Sequence, residues 1–242
     1  MNRSILLVFA HPDDESFGPS GTAAKYRKSG IPTDLICATR GEVGTRLDVP
    51  KDMETGKARE AELRKAAALI GIRDLYLLGF TDGQLDKVNL SEIADKIFSI
   101  MEKVLPEVVI TFGPDGISGH PDHIAVGRAA AMAFHRLRDK DKGPLKLYYV
   151  TIPESVLPNA AEMGIRTRPD REVTTTIDIR DFWDLKKKAI AAHRTQQDAR
   201  EFIEMLNQLK DPGLWMKEYF YLACPEKTAQ ETDLFTLLLQ TS

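Results

Sequence analysis

The chain has 242 residues and a formal net charge of −3, with its lysines and arginines scattered rather than grouped. This length suits one sizeable domain, and the charge pattern excludes the basic stripe of nucleic-acid-binding proteins, so we expect no nucleic-acid partner. No apolar run approaches the ~18 to 20 residues of a membrane span, and Cys37 and Cys224 lie far apart in apolar stretches. We expect a cytoplasmic protein with no membrane partner and two reduced, buried thiols.

The first part of the chain alternates short apolar runs with longer helical patterns, which is typical of a mainly parallel sheet covered by helices. The predicted strands are 4–10, 34–39, 75–78, 108–111 and 145–151. The predicted helices are 19–29, 57–70, 90–104 and 121–137, and a long polar loop is predicted for 41–56. Asn89 and Glu92 predict a capping box, and Gly30 and Gly71 predict helix ends. The predicted fold class is α/β, a Rossmann-like three-layer sandwich with strand order 3-2-1-4-5.

The last third of the chain is less regular. Strands are predicted near 173–179 and 219–222, with a helix at 181–192 between them. The sequence contains no internal repeat, low-complexity tract or linker. We therefore predict a single domain over 1–242, in which 1–151 forms the Rossmann-like core and 152–242 is an extension of the same domain.

Two polar clusters follow predicted strands. His11-Pro12-Asp13-Asp14-Glu15 comes directly after the first strand, and His120-Pro121-Asp122-His123 lies just beyond the fourth. In the predicted strand order these two strands are neighbours and the winding direction reverses between them, which is where ligand crevices form in such sheets. Either cluster alone could be a turn with a helix cap, but their coincidence at the switch point favours a functional site.

The residue types in the clusters suit metal-assisted hydrolysis. His11, Asp14 and His123 can supply two imidazoles and one carboxylate, a set that leaves a metal position open for water. Asp13 is surplus to this set and is suited to act as general base.

The second cluster offers a further pair of groups. A protonated His120 would stabilise an oxyanion or protonate the leaving amine. Asp122 is predicted to orient that imidazole and to raise its pKa.

The paired motifs resemble those of the PIG-L/LmbE-like deacetylase family, strongly over 5–137 and more weakly beyond. The resemblance implies a Rossmann-like fold and zinc ligation by His11, Asp14 and His123, with Fe²⁺ or another divalent metal as the other candidates. It further implies that Asp13 is the general base and that His120 is the electrostatic and proton-donating partner.

Other positions carry weaker parts of the resemblance. It implies that Arg59, followed by Glu62-Leu63, contacts substrate and that Asp82 grips sugar hydroxyls. The segment 193–196, His-Arg-Thr-Gln, is similar to a family segment His-Arg-Ser-Gln. From the residues themselves, His193 either reaches the site or caps its helix, and Arg40 and Glu42 either point into the crevice or belong to a turn with a surface ion pair.

These observations predict a metal-dependent hydrolase that removes an N-acetyl group from an N-acetylglucosamine-type conjugate. The predicted partner is a small amino-sugar molecule, and homo-oligomers are expected in such a family. The alternatives are an amidase cleaving a thiol-sugar conjugate and a two-histidine, one-carboxylate iron oxygenase. A nucleotide-binding role is disfavoured because Gly-x-Gly-x-x-Gly is absent and the acidic loop would repel a pyrophosphate. A metal-binding module without turnover would leave Asp13 without a role.

Overall fold

The computed structural model describes residues 3–140, 143–226 and 230–236. Within these ranges one sheet contains the strands β1 Ile5–Phe9, β2 Thr33–Cys37, β3 Leu75–Leu77, β4 Val108–Phe112, β5 Lys146–Thr151, β6 Thr175–Asp178 and β7 Lys217–Cys224. The helices are α1 Asp14–Phe17, α2 Ser20–Lys28, α3 Thr55–Ile70, α4 Leu90–Val104, α5 Gly116–Gly119, α6 Pro121–Arg138, α7 Trp183–Ile190 and α8 Gln197–Gln208. Short 3-10 turns span Leu85–Lys87, Ala160–Met163, Asp170–Glu172 and Arg180–Phe182.

The strand order is β3-β2-β1-β4-β5-β7-β6, which confirms the predicted order 3-2-1-4-5 and extends it. Strands β1 to β5 pair in parallel, whereas β7 pairs antiparallel with both β5 and β6. All of β1 is buried, because parallel strands in the middle of such a sheet are covered on both faces. The carboxyl ends of β1 and β4 therefore lie side by side at the sheet's topological switch point.

Helices cover the sheet and complete the α/β class that the sequence predicts. Helices α2, α3 and α7 contact one another, while α4 packs against α6. The apolar stripe of α4 (Ile93, Ala94, Ile97 and Met101) is buried, as its spacing predicts. Asn89 caps α4 with its Oδ1 accepting from the Ser91 amide at 2.9 Å, rather than from the Glu92 amide of a capping box.

Some elements differ from the predictions. Helices α1, α5 and α8 are absent from the predictions, and α3 begins two residues earlier than expected. The helix predicted over 181–192 is a 3-10 turn followed by α7. Cys37 and Cys224 are buried and unpaired, as predicted. Among the residues that the structure describes, no helix has the length and apolar character needed to cross a bilayer.

Candidate active site

Three potential metal ligands converge where β1 and β4 end. His11 Nδ1 lies 3.2 Å from His123 Nε2. Asp14 Oδ1 lies 3.4 Å from the same His123 nitrogen, and Asp14 Oδ2 lies 3.7 Å from His11 Nδ1. Ligand atoms of a tetrahedral zinc ion, each about 2.0 to 2.1 Å from the metal, are about 3.3 Å apart. The spacing therefore fits one divalent cation bound between these side chains.

The surroundings of Asp14 assign its two oxygens to different tasks. Oδ2 accepts from the backbone amides of Ala10 at 3.1 Å and His11 at 2.8 Å. Because these amides occupy Oδ2, Oδ1 is the oxygen left to face a metal. The first turn after β1 thus aims the carboxylate towards His123.

The outer partners of both imidazoles decide which nitrogen carries a proton. His11 Nε2 lies 3.0 Å from Asp82 Oδ1 and 3.2 Å from Asp122 Oδ2, so it must donate. His123 Nδ1 lies 3.0 Å from the carbonyl oxygen of Gly116 and must donate as well. His123 Nε2 then presents a lone pair to the cluster, and His11 Nδ1 presents a second one once its proton is displaced by a bound metal. Outer partners of this kind are typical of metal-bound histidines.

The electrostatics of the cluster also favour a cation. Burial lowers the pKa of His11, but hydrogen bonds with Asp122 and Asp82 and the charge of Asp14 outweigh it and raise that pKa to about 10. Burial and the neighbouring His11 lower the pKa of His123 to about 4, which keeps its ring in the neutral form that binds metals. Phe112 stacks on the His123 ring with centroids 4.0 Å apart and holds it in place.

Asp13 lies beside the ligands in an unusual backbone conformation, with φ 115° and ψ −30°. A positive φ is rare for residues other than glycine and is found at strained functional positions. Arg59 Nη2 donates to Asp13 Oδ2 at 2.8 Å, and burial raises the pKa of Asp13 to about 6 although Arg59 opposes this. With Oδ2 engaged, Oδ1 is the oxygen available to take a proton.

His120 lies next to the ligand histidines, with ring centroids 4.9 Å from both His11 and His123. One of its ring nitrogens is within 4.8 Å of a nitrogen of each. As the N-cap of α6 it accepts the Asp122 amide hydrogen on Nδ1 at 3.2 Å, so Nε2 carries the proton in the neutral ring. Burial, then His11 and His123, lower the pKa of His120. These effects disfavour the predicted cationic form, although the charges of Asp122 and Asp14 oppose them.

Asp122 also differs from its prediction. Its carboxylate is fully buried and accepts from the Gly83 amide at 2.7 Å and the Leu85 amide at 3.0 Å, besides contacting His11 Nε2. It therefore orients the ligand His11 instead of His120. The prediction failed because the first helical turn points the Asp122 side chain back towards His11, a direction that spacing along the chain does not reveal.

The residues expected to contact substrate divide into two groups. Arg59 and Asp82 lie close to the cluster, and their polar groups are hydrogen-bonded to other residues of the site. Arg59 donates to the carbonyls of Pro12 and Gly41 and to Asp13. Asp82 accepts from the Val43 amide at 2.9 Å and contacts His11. Glu42 is exposed, and its Oε2 accepts from the Asp82 amide at 3.4 Å. Arg40 forms an ion pair with Glu60 at 2.9 Å, which matches the surface-pair alternative.

His193 does not face the open site. Its side chain has no exposed area, and its Nε2 lies 2.9 Å from Glu15 Oε1. Direct contact with substrate is therefore wrong for His193 in this structure. Glu15 has no predicted role, although its place in the first motif, one residue after Asp14, is a signal for one.

Three convergent ligands, a neighbouring carboxylate with a raised pKa and a position at the switch point define a candidate mononuclear metal hydrolase site. A family model described as "GlcNAc-PI de-N-acetylase" matches residues 6–134. The chain therefore belongs to the PIG-L family.

Relatives of known name cover nearly the whole chain. A probable N-acetyl-alpha-D-glucosaminyl L-malate deacetylase 2 of Bacillus subtilis is 34% identical over 228 residues, covering 91% of this chain and 97% of the relative. A 1D-myo-inositol 2-acetamido-2-deoxy-alpha-D-glucopyranoside deacetylase of Acidothermus cellulolyticus is 31% identical over 281 residues, covering 97% and 95%. Both names describe deacetylases of acetylated amino sugars.

A solved structure shows the same fold. N,N'-diacetylchitobiose deacetylase from Pyrococcus horikoshii superposes with a TM-score of 0.69 at 22% identity, covering 91% of this chain and 83% of that chain. At this identity the likeness concerns the fold, and it supports the predicted α/β class.

Proposed function

We propose that this protein is a divalent-metal-dependent N-deacetylase that hydrolyses the acetamide of an N-acetylglucosamine-type conjugate. The observation that carries the proposal is the convergence of His11 Nδ1, His123 Nε2 and Asp14 on one point, with Asp13 beside them. The names of the B. subtilis and A. cellulolyticus relatives support an acetylated amino sugar as substrate. They lend no support to the amidase or the iron oxygenase.

Zinc is the proposed metal, because two imidazoles and one carboxylate form a common catalytic zinc set. A bound zinc ion would act as a Lewis acid that acidifies water and polarises the acetamide carbonyl. The residues around the cluster then have to move protons and stabilise charge.

Asp13 is the proposed proton carrier in both directions. It removes one proton from the attacking water as the new C–O bond forms at the carbonyl carbon. As the C–N bond breaks, protonated Asp13 returns that proton to the nitrogen, so the products are a free amine and acetic acid, which ionises to acetate by releasing the second water proton to solvent. Arg59 holds Asp13 Oδ2 and leaves Oδ1 for this transfer.

His120 is the proposed oxyanion donor. Because its Nδ1 accepts from a backbone amide, its Nε2–H can donate to the developing oxyanion while the ring remains neutral. This role needs no cation and agrees with the lowered pKa of His120.

The sugar end of the site is proposed to include Glu42. This exposed carboxylate lies next to Asp82 and is free to accept hydrogen bonds from sugar hydroxyls. Asp82 itself contacts His11 and the Val43 amide, so we assign it to orienting the ligand His11.

The expected homo-oligomer and the expected cytoplasmic location stay predictions.

The proposal is tested by amine release from N-acetylglucosamine linked to malate or to inositol. Metal-replete protein should release primary amine, a chelator should abolish the release, and added Zn²⁺ should restore it. Asp13→Ala should keep its metal and lose ~100-fold or more in turnover, as expected for loss of a general base. His123→Gln should lose its metal. His135→Gln, at an exposed position on the same helix, is its matched control. Wild-type protein that holds metal but releases no amine from any conjugate would refute the proposal.

A further inference from the structure

A buried chain of hydrogen bonds connects the last third of the protein to Asp13. His193 Nε2 lies 2.9 Å from Glu15 Oε1, which also accepts from Ser16 Oγ at 2.6 Å. The other oxygen of Glu15, Oε2, accepts from the backbone amide of Asp13 at 3.1 Å. His193 and Glu15 have at most 1% of their surface exposed.

Asp13 needs such support because of its backbone. At φ 115° a residue with a side chain is strained, and this conformation persists only where surrounding groups hold it. The carbonyl of Asp13 is held by the Ser16 amide at 2.8 Å and the Phe17 amide at 3.0 Å. Its carboxylate is held by Arg59. Glu15 is the group that holds the remaining backbone atom, the amide nitrogen.

Glu15 in turn depends on His193. A carboxylate this deeply buried is costly unless donors surround it, and Asp13 and Asp14 add negative charge nearby. The side chains that donate to it are Ser16 and His193. Among the described residues, His193 Nδ1 has no hydrogen-bond partner, so the ring's polar contacts are with this pair.

Other roles for the pair fit less well. Zero exposure excludes contact of His193 with substrate. The position of the pair behind Asp13 leaves support of that residue as the role that the contacts indicate.

We propose that Glu15 and His193 are positioning residues for the base: they fix the Asp13 backbone so that its free carboxylate oxygen faces the reacting water. This inference rests on the proposed function. It also gives the His-Arg-Thr-Gln segment a purpose, since that segment carries His193 to the site.

The test compares kcat, KM and bound metal in Glu15→Ala, Glu15→Gln and His193→Gln. Misplacement of a reacting group by about 1 Å costs up to about 100-fold in rate. We therefore expect kcat to fall about 10- to 100-fold in Glu15→Ala, with KM and metal content changed less than about twofold. Glu15→Gln keeps an acceptor for the Asp13 amide and should lose less, which covers the case that the alanine variant does not fold. Glu102→Gln, an exposed residue of α4, is the matched control.

Combination with Asp13→Ala separates positioning from a general structural effect. If Glu15 acts through Asp13, adding Glu15→Ala to Asp13→Ala should change kcat by less than about twofold. A further loss equal to that seen in the wild-type background would overturn the inference.

A measurement that needs no activity completes the test. The Asp13 amide hydrogen should exchange with solvent slowly in the wild type and about tenfold faster in Glu15→Ala, because its acceptor is gone. An unchanged exchange rate in both Glu15 variants would overturn the positioning role. Wild-type protein inactive on every conjugate would instead remove the proposed function and leave this measurement to decide the positioning.

Discussion

The polar groups of the candidate site fall into two groups. His11, Asp14 and His123 lie where β1 and β4 end, with contacts of 3.2 to 3.7 Å between their side chains. Asp122 instead contacts His11 Nε2, and His193 contacts Glu15 Oε1. The first group is predictable because each residue lies next to the end of a strand, whereas the contacts of Asp122 and His193 depend on the direction of side chains within a turn.

Two substitutions of His120 test its proposed role. If it acts as a neutral donor, His120→Gln keeps an N–H and should retain more turnover than His120→Ala, which should lose about 100-fold or more, as expected for removal of one oxyanion donor. The measurement is kcat for both variants at constant metal content, with His135→Gln as control. Equal losses in the glutamine and alanine variants would favour a proton donor instead.

At the scale of elements, the predictions succeeded where local signals agree. Helix α4 has the predicted bounds, since an apolar stripe, a capping residue and a following proline all point to them. Helix α8 is absent from the predictions although Ala199, Phe202, Ile203 and Leu206 follow helical spacing and the last three pack on the core, and it has no side-chain cap to mark its start. It directly follows the segment 193–196.

That segment links the extension to the long loop. Thr195 donates from its amide and from Oγ1 to the two oxygens of Glu62 on α3, at 3.1 and 2.8 Å. Its carbonyl accepts from the Leu47 amide and from Thr45 Oγ1. The 193–196 segment thus connects the loop that follows β2 to helix α3 through hydrogen bonds of Thr195.

Thr195→Val tests whether these hydrogen bonds stabilise the loop. The substitution preserves shape but leaves one buried oxygen of Glu62 without its donor, which costs about 1 to 3 kcal/mol. We expect that loss in urea unfolding and faster proteolysis within 41–54. Thr236→Val, at an exposed position, should change neither. Unaltered stability and proteolysis in Thr195→Val would contradict a role of Thr195 in stabilising the loop.

For the molecule as a whole, the buried Tyr148 and the half-buried Tyr219 couple stability to alkaline pH. Burial, together with the nearby Glu231, raises the pKa of Tyr148, and burial raises the pKa of Tyr219 to about 12. Unfolded tyrosines lose their protons near pH 10, while the folded protein keeps them. The unfolded state then binds fewer protons, so stability falls as pH rises above about 10.

The expected result is a free energy of unfolding that decreases from pH 10 upwards and does so less steeply in Tyr148→Phe. Tyr76→Phe, in the half-buried strand β3, is the matched control. Urea unfolding between pH 8 and 11 gives the slopes. Identical slopes in wild type and Tyr148→Phe would contradict the role assigned to this hydroxyl.

The α/β class, the order of the first five strands and the meeting of the two motifs at the switch point follow from the amino-acid sequence. Hydrophobic periodicity and connectivity are evident along the chain, and the fixed handedness of parallel connections converts them into positions in the sheet. The folded structure adds which oxygen of Asp14 remains for a metal, which nitrogen of His120 carries the proton in a neutral ring, and which carboxylate His193 contacts. The first two depend on side-chain directions within turns, and the third depends on packing between residues 178 positions apart, so residue spacing reveals none of them.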